Sequence, residues 1–441
     1  MTTTIPPGGG APASRPSETP RSAAKRERLA AGPRGGALEE TLGWLRSALD
    51  RPLTSYHLVL ASVSLLLVVG LLMVLSASSV SAYVNFQGDS YYYVKRQALF
   101  LVVGVVGALV LVKMPFTTLR ALSWVAVGLA AVLLTLTYTP LGIERGGNKN
   151  WLYLGSETFS IQPAEFAKLA MIVWGADVLA RKQRLLDQPK HLLVPYLPVS
   201  GLLILLVVFQ GDAGTAVVMA GIVAGVLWIV GAPLRVLGAL ATVGALGVVG
   251  LFAGSPNRMR RLAAFLDQSA DLNGANDQVN AGVLAIASGG WWGFNLGGSR
   301  QKWGSLPEAH TDFIFAVLAE EMGLFGSLVV LGLFLVLGYA GVRIATRSDE
   351  PFARYAAGGV TAWFMVQALI NLAVVLRLLP VAGVPLPLVS YGGSALLANL
   401  LAVGVLLACA RREPAARALL AHRPGRHRPR VSTVVGSRGP R

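Results

Sequence analysis

His57-Leu-Val-Leu-Ala-Ser-Val-Ser-Leu-Leu-Leu-Val-Val-Gly-Leu-Leu-Met-Val-Leu-Ser-Ala77 contains no Asp, Glu, Lys or Arg. A helix needs about 20 apolar residues to cross the hydrocarbon of a bilayer, and this run meets that length. Nine more runs are candidates: residues 97–113, 121–138, 163–181, 192–209, 214–231, 234–253, 312–341, 355–378 and 391–410. Residues 312–341 are long enough to tilt or to extend beyond the bilayer. The expected fold is all-α and polytopic, with ten transmembrane helices. Composition agrees: of 441 residues, 54% are hydrophobic and 14% charged, and the mean hydropathy is +0.59. These values exclude an ordinary soluble domain.

Outward from these runs the chain turns polar. Residues 1–54 are rich in Pro, Gly, Ala, Ser and Arg, and residues 411–441 are Arg-rich with one acid, Glu413. Both read as disordered basic tails that flank a membrane domain over 55–410. No cleavable signal peptide is expected, because the extreme N-terminus has no apolar core. The net charge of +16 lies mostly in the tails. Beside a membrane such tails orient the chain and touch anionic lipid, so no nucleic-acid partner is expected. With a cytoplasmic N-terminus, ten spans return the C-terminus to the cytoplasm. The tails and the loops on that side then hold most of the 38 lysines and arginines, among them Arg181-Lys-Gln-Arg184. The largest connection, about 254–311 between helices 7 and 8, becomes extracellular. No internal repeat is evident, which argues against an inverted-repeat transporter. The single cysteine, Cys409, lies in an apolar run and excludes a disulfide within the chain.

Ionisable and polar residues gather toward the outer face. Gln162-Pro163-Ala-Glu165-Phe-Ala-Lys168 opens the fourth span. Pro163 suits a first helical turn, and Glu165 suits the positive end of the helix dipole. Glu165 and Lys168 share a helix face and can pair, which the cost of an isolated charge in lipid demands. Such a pair fixes helix packing, lines a substrate groove, or does both. In the next outer turn, Gln210-Gly-Asp212-Ala-Gly-Thr215, Asp212 can cap a helix. His310-Thr-Asp312 opens the eighth span, and Glu320-Glu321 lie roughly 12 Å deeper. The histidines show no zinc spacing, so no metal site is assigned, and no compact ligand cluster identifies a divalent cation. Leu379 to Ser394 is rich in Pro and Gly, and irregular backbone at membrane depth needs protein or a wet cavity beside it. The outer loop carries Arg258, Arg260, Arg261, Arg300 and Lys302 around the acid Asp271. Cations there suit a pyrophosphate, although long loops also escape the positive-inside bias. Gly289-Gly-Trp-Trp-Gly293 reads as a mobile cover with its indoles at the membrane interface.

Together these segments resemble the SEDS family (shape, elongation, division and sporulation). The matching stretches are Asn150-Trp-Leu-Tyr-Leu-Gly155, Gln162 to Lys168, Leu306-Pro-Glu-Ala-His-Thr-Asp-Phe-Ile-Phe315 with Glu320-Glu-Met-Gly323, and Leu386-Pro-Leu-Val-Ser390-Tyr-Gly-Gly-Ser394. The resemblance covers about 55–410. It looks most like the cell-division branch, through Met73 to Ser79 and Gly88 to Gln97, and the tails resemble those of actinobacterial division proteins.

The resemblance implies a peptidoglycan glycosyltransferase that polymerises lipid II by inverting transfer at the outer face of the cytoplasmic membrane, at the septum. The alternatives are a lipid II flippase and the elongation polymerase of the same family. The family's proposed acid follows a pattern in which Phe265, Gly274 and Gln278 match, which places a general base at Asp271. Gln268, Leu272, Asn276 and Asp277 depart from that pattern, so Asp267 and Asp277 remain rival carboxylates. Substrate contacts fall to Glu165, Lys168, Arg258, Arg260, Arg261, Asp212, Gln278, His310, Asp312, Ser390 and Ser394. No cofactor is implied, and a divalent cation at the leaving group stays open. The implied partners are lipid II, membrane lipids, a class B penicillin-binding transpeptidase and other division proteins.

Overall fold

The computed structural model describes residues 2–4, 50–145, 147–153, 155, 160–253, 259, 262–263, 265–266, 277–303 and 306–421. The chain divides into two units, Met1–Thr54 and Ser55–Arg441, and the second holds the helical bundle.

In chain order the main helices are α1 (Thr54–Asn85), α2 (Tyr92–Lys113) and α3 (Phe116–Leu136). A hairpin of β1 (Gly142–Arg145) and β2 (Asn148–Leu152) follows. Next come α4 (Pro163–Arg181), α5 (Tyr196–Phe209), α6 (Ala213–Val230), α7 (Leu234–Ala253) and α8 (Asp277–Gly289). The bundle closes with α9 (Ile314–Arg347), α10 (Pro351–Val375), α11 (Gly393–Ala410) and α12 (Pro414–Ala421).

Among the described residues, eight helical stretches are long and apolar enough to cross a membrane: α1, α2, α3, Lys190–Phe209 ending in α5, α6, α9, α10 and α11. The other two expected spans are helices of a different character. The apolar part of α7, Leu234–Gly250, is shorter. In α4 the apolar run is interrupted by Glu165, Lys168, Asp177 and Arg181. That helix is buried around nearly its whole circumference, which explains how it carries charge: its neighbours are protein groups that can pair with it.

Three features depart from the sequence expectation. The antiparallel hairpin pairs Ile143 with Trp151, so the fold is not purely helical. The turn residue Gly147 has φ +81°, which glycine adopts without steric cost. Helix α8 lies within the stretch expected to be loop, and α12 lies within the stretch expected to be disordered tail. Their short alternations of Ala and apolar residues suffice for a helix once a larger body is there to pack against.

The antiparallel run of helices brings one set of ends together. The end of α1, the starts of α2, α4, α6, α9 and α11, and the end of α10 share the level of the hairpin, called here the hairpin end. At the opposite end, Asp177 accepts from Arg120 Nε at 2.5 Å, Trp124 Nε1 at 2.9 Å and Arg181 Nε at 2.8 Å, so both its oxygens are occupied.

Candidate functional site

The first turn of α4 places Glu165 and Lys168 at the hairpin end, as expected for a helix opened by Pro163. Lys168 Nζ donates to Glu165 Oε1 at 2.8 Å and to Gln367 Oε1, on α10, at 2.8 Å. The ammonium also lies 4.8 Å from the centre of the Trp363 ring. Both charged side chains are about 98% shielded from solvent. Removal of two charges from water is costly, and only close pairing with further hydrogen bonds offsets it. Glu165 Oε2, however, is buried and has no hydrogen-bond partner among the described residues. Gln367 accepts a second bond from Trp363 Nε1 at 2.6 Å and donates through Nε2 to the Pro385 carbonyl at 2.9 Å.

Pro385 belongs to an irregular segment between α10 and α11 in which Val384, Leu386, Leu388 and Val389 are all buried. Buried non-helical backbone must find its partners among side chains. Asn371 Nδ2 donates to the carbonyls of Val384 and Asp312, each at 2.8 Å. Ser390 Oγ accepts from Leu386 N at 2.8 Å and donates to the Thr311 carbonyl at 2.7 Å. Gln97 Nε2, on α2, donates to the Ser390 carbonyl at 3.2 Å. The segment lies so close to α1 that a Cβ on Gly70 would come within 2.8 Å of the Leu388 carbonyl oxygen. Its rim is aromatic. The His310 ring lies 4.7 Å from Tyr93 and 5.5 Å from Tyr391. Burial holds the His310 pKa below 6.5, against the opposing pull of Glu308.

Asp212 is more than a helix cap. Its Oδ1 accepts from Thr215 N at 3.0 Å, while Oδ2 accepts from Asn150 Nδ2 at 2.8 Å and Gln162 Nε2 at 3.0 Å. Ser394 Oγ accepts from Gln162 N at 3.4 Å. The hairpin, α6, α11 and the start of α4 are thereby tied through two residues, Asp212 and Gln162. Gln278 lies farther along the same end, where its Nε2 donates to the Pro307 carbonyl at 3.1 Å.

Glu320 and Glu321 form a closed cluster. Ser299 Oγ and Arg300 N donate to Glu320 at 2.5 and 2.9 Å. Lys302 Nζ reaches Glu321 Oε1 at 3.0 Å, and Ser76 Oγ of α1 donates to the same carboxylate at 2.6 Å. Lys302, expected in a basic outer loop, is therefore buried and neutralised within the protein. Just beyond, Gly323 breaks α9 with φ +65°. The break exposes backbone groups that the 290–294 turn takes up: Phe294 N donates to the Glu320 carbonyl and Leu324 N to the Gly290 carbonyl. The turn expected as a mobile cover is thus pinned at the kink, with Trp291 and Trp292 exposed.

Asp271, its rival Asp267, and Arg258, Arg260 and Arg261 lie outside the described residues. Asp277 is the exposed first residue of α8. Among the described residues, no three acidic, His or Cys side chains gather as metal ligands would.

A family described as cell cycle protein, named for FtsW, RodA and SpoVE, matches residues 56–414. The chain belongs to this family. It is similar to a probable peptidoglycan glycosyltransferase FtsW from Mycobacterium tuberculosis, at 37% identity over 374 residues, covering 84% of this chain and 71% of that protein. It is also similar to the stage V sporulation protein E of Bacillus subtilis, at 39% identity over 360 residues, covering 81% and 98%. Among solved structures, it resembles a chain of a peptidoglycan synthase complex described as coordinating polymerization and crosslinking. That match has a TM-score of 0.64 and 26% identity, covering 83% and 99% of the two chains. The rod shape determining protein RodA of Thermus thermophilus matches with a TM-score of 0.58 and 28% identity, covering 83% and 98%.

In this FtsW/RodA/SpoVE member the hairpin end draws together Glu165, Lys168, Asp212, Ser390 and Ser394, with Asp312 and His310 on the adjoining rim. Sequence reasoning missed Gln367, Trp363, Asn371 and Gln97. Gln367 and Asn371 left a usable sign, since two amides four residues apart in an apolar helix mark one polar face.

Proposed function

We propose that this chain is a peptidoglycan glycosyltransferase of septal wall synthesis, polymerising lipid II at the outer face of the cytoplasmic membrane. The carrying observation is the buried Glu165–Lys168–Gln367 network at the hairpin end of a family member. Charges that costly to bury, with one carboxylate oxygen unmatched, suit a site that receives a polar head group. α4 and α7 complete ten spans, both termini are cytoplasmic, and the hairpin end with the long loop before α9 is extracellular. Residues 55–410 form the membrane domain, with basic tails on either side.

In the reaction, the 4-hydroxyl oxygen of the acceptor GlcNAc attacks C1 of the donor MurNAc. The C1–O bond to undecaprenyl pyrophosphate breaks, and the hydroxyl proton passes to Asp271. A carboxylate within reach suits a weak hydroxyl nucleophile. One displacement inverts the anomeric centre without a covalent intermediate. The leaving pyrophosphate is already anionic, so Arg258, Arg260 and Arg261 serve it better than an acid would. Lys168, expected to contact substrate, is instead committed to Glu165 and Gln367. Asp212, His310, Asp312, Ser390, Ser394 and Gln278 shape the surrounding groove. Asp267 and Asp277 are the alternative bases, and a divalent cation is the alternative partner for the pyrophosphate. The synthase complex with a chain similar to this one is described as coordinating polymerization and crosslinking, which supports a class B penicillin-binding transpeptidase as partner here.

A flippase would need a polar route through both faces. At the far end both Asp177 oxygens are taken by Arg120, Trp124 and Arg181, so that carboxylate offers a head group no open acceptor, which favours the polymerase. The test places the purified protein and its transpeptidase in liposomes with lipid II. Glycan chains without transbilayer movement of lipid II support the polymerase; movement without chains refutes it.

A further inference from the structure

We propose that Gln367 is a positioning residue that keeps the second carboxylate oxygen of Glu165 open for a hydrogen-bond donor of the lipid-linked sugar, a hydroxyl or amide N–H. This rests on the groove reading of the Glu165–Lys168 pair and adds to it an atom and a residue that controls it.

The geometry is that of a divided ammonium. Lys168 Nζ spends one hydrogen bond on Glu165 Oε1 and one on Gln367 Oε1, each at 2.8 Å, and its remaining face is turned to Trp363. An ammonium with no such competitor can approach both oxygens of a neighbouring carboxylate, because its donors rotate freely on a flexible stem. Gln367 prevents this. Its amide cannot turn over, because Oε1 also accepts from Trp363 Nε1 and Nε2 donates to the Pro385 carbonyl. The acceptor that holds Lys168 back is therefore fixed from both sides, and Glu165 Oε2 is left without a partner among the described residues.

A buried acceptor without a partner is disfavoured, so a fold that retains one has a use for it or a tenant. Glu165 is only 2% exposed. A donor that reaches Oε2 must displace the side chains over it, which suits a group arriving with the substrate better than bulk water. A lipid-linked disaccharide peptide offers such donors. The fixed end of Gln367 lies on Pro385, in the irregular segment that carries Ser390. Loop and ion pair are consequently set by the same amide.

The test measures lipid II binding to the full chain in nanodiscs, with polymerisation followed in parallel. Gln367→Met frees Lys168 to close on Glu165, and Kd for lipid II rises about tenfold or more, the scale of one hydrogen bond to a charged group. Glu165→Gln weakens binding to a similar degree. In the Glu165→Gln background, Gln367→Met adds less than about threefold, because both act through one atom. A purely structural Gln367 gives losses that multiply, and that result overturns the proposal. So does an unchanged Kd in Gln367→Met. Should Gln367→Met fail to fold, Glu165→Gln decides: its amide N–H takes the place of the open acceptor while its carbonyl still accepts from Lys168, and a folded Glu165→Gln protein with unchanged Kd overturns the proposal. A parent that binds lipid II without polymerising it sinks the polymerase and leaves the role of Gln367 standing; a parent that does not bind it sinks both.

Discussion

Replacement of Lys168 by Met keeps the length of the side chain and removes its charge. Gln367 Oε1 retains the Trp363 indole as donor, so the group left stranded is the Glu165 carboxylate. At 2.8 Å and an effective dielectric constant near 20, the lost attraction is about 6 kcal/mol. Relaxation and water entry reduce what is measured, and loss of one partner of a buried pair typically costs about 3–5 kcal/mol. Lys168→Met should therefore lower the unfolding free energy by about 3–5 kcal/mol, read by SDS titration in mixed micelles. Glu165→Gln in the same chain removes the stranded charge. The double variant should recover to within about 1–2 kcal/mol of the parent. A single variant within about 1 kcal/mol of the parent, or a double variant no better than Lys168→Met alone, refutes the claim that the pair is buried and mutually dependent.

Asp212→Ala loses a helix cap and strands the Asn150 and Gln162 amides, so it should destabilise the fold by about 3 kcal/mol, visible as a lower thermal midpoint. Gly323→Ala demands φ +65° of an alanine and sets its Cβ within 2.5 Å of Gly293 N and the Trp291 carbonyl oxygen. A loss of about 2 kcal/mol or more, with a shift in indole emission as the Trp291–Trp292 turn leaves the kink, is expected. His310 is held neutral by burial, so its contribution is full above pH 6.5 and is lost as pH falls from 6.5 through its lower folded value. Between pH 7.5 and 5.5 the parent should lose stability more steeply than His310→Gln, as measured by thermal unfolding at each pH.

The long apolar helices and the Glu165–Lys168 pair were legible because each depends on residues close in sequence: run length for the first, three-residue spacing for the second. Leu234–Ala253 and Pro163–Arg181 have the limits their sequence predicts. What eluded the sequence depends on distant partners. Lys302 looked like a surface cation until α1 supplied Ser76 and α9 supplied Glu321. The Gly-rich Trp291–Trp292 turn looked mobile because its hydrogen-bond partners lie past a helix break at Gly323. Gln367 drew no notice, since an amide gains meaning only from the ammonium it faces across the bundle.

The central claim is polymerisation of lipid II with Asp271 as the base, and one comparison tests it most directly. Parent and Asp271→Ala proteins, each with its transpeptidase partner and each shown to be folded and to bind lipid II, are incubated with lipid II and the products resolved by size. Glycan chains from the parent and none from Asp271→Ala are the predicted result. Normal chains from the variant would contradict the account and return the role to Asp267 or Asp277.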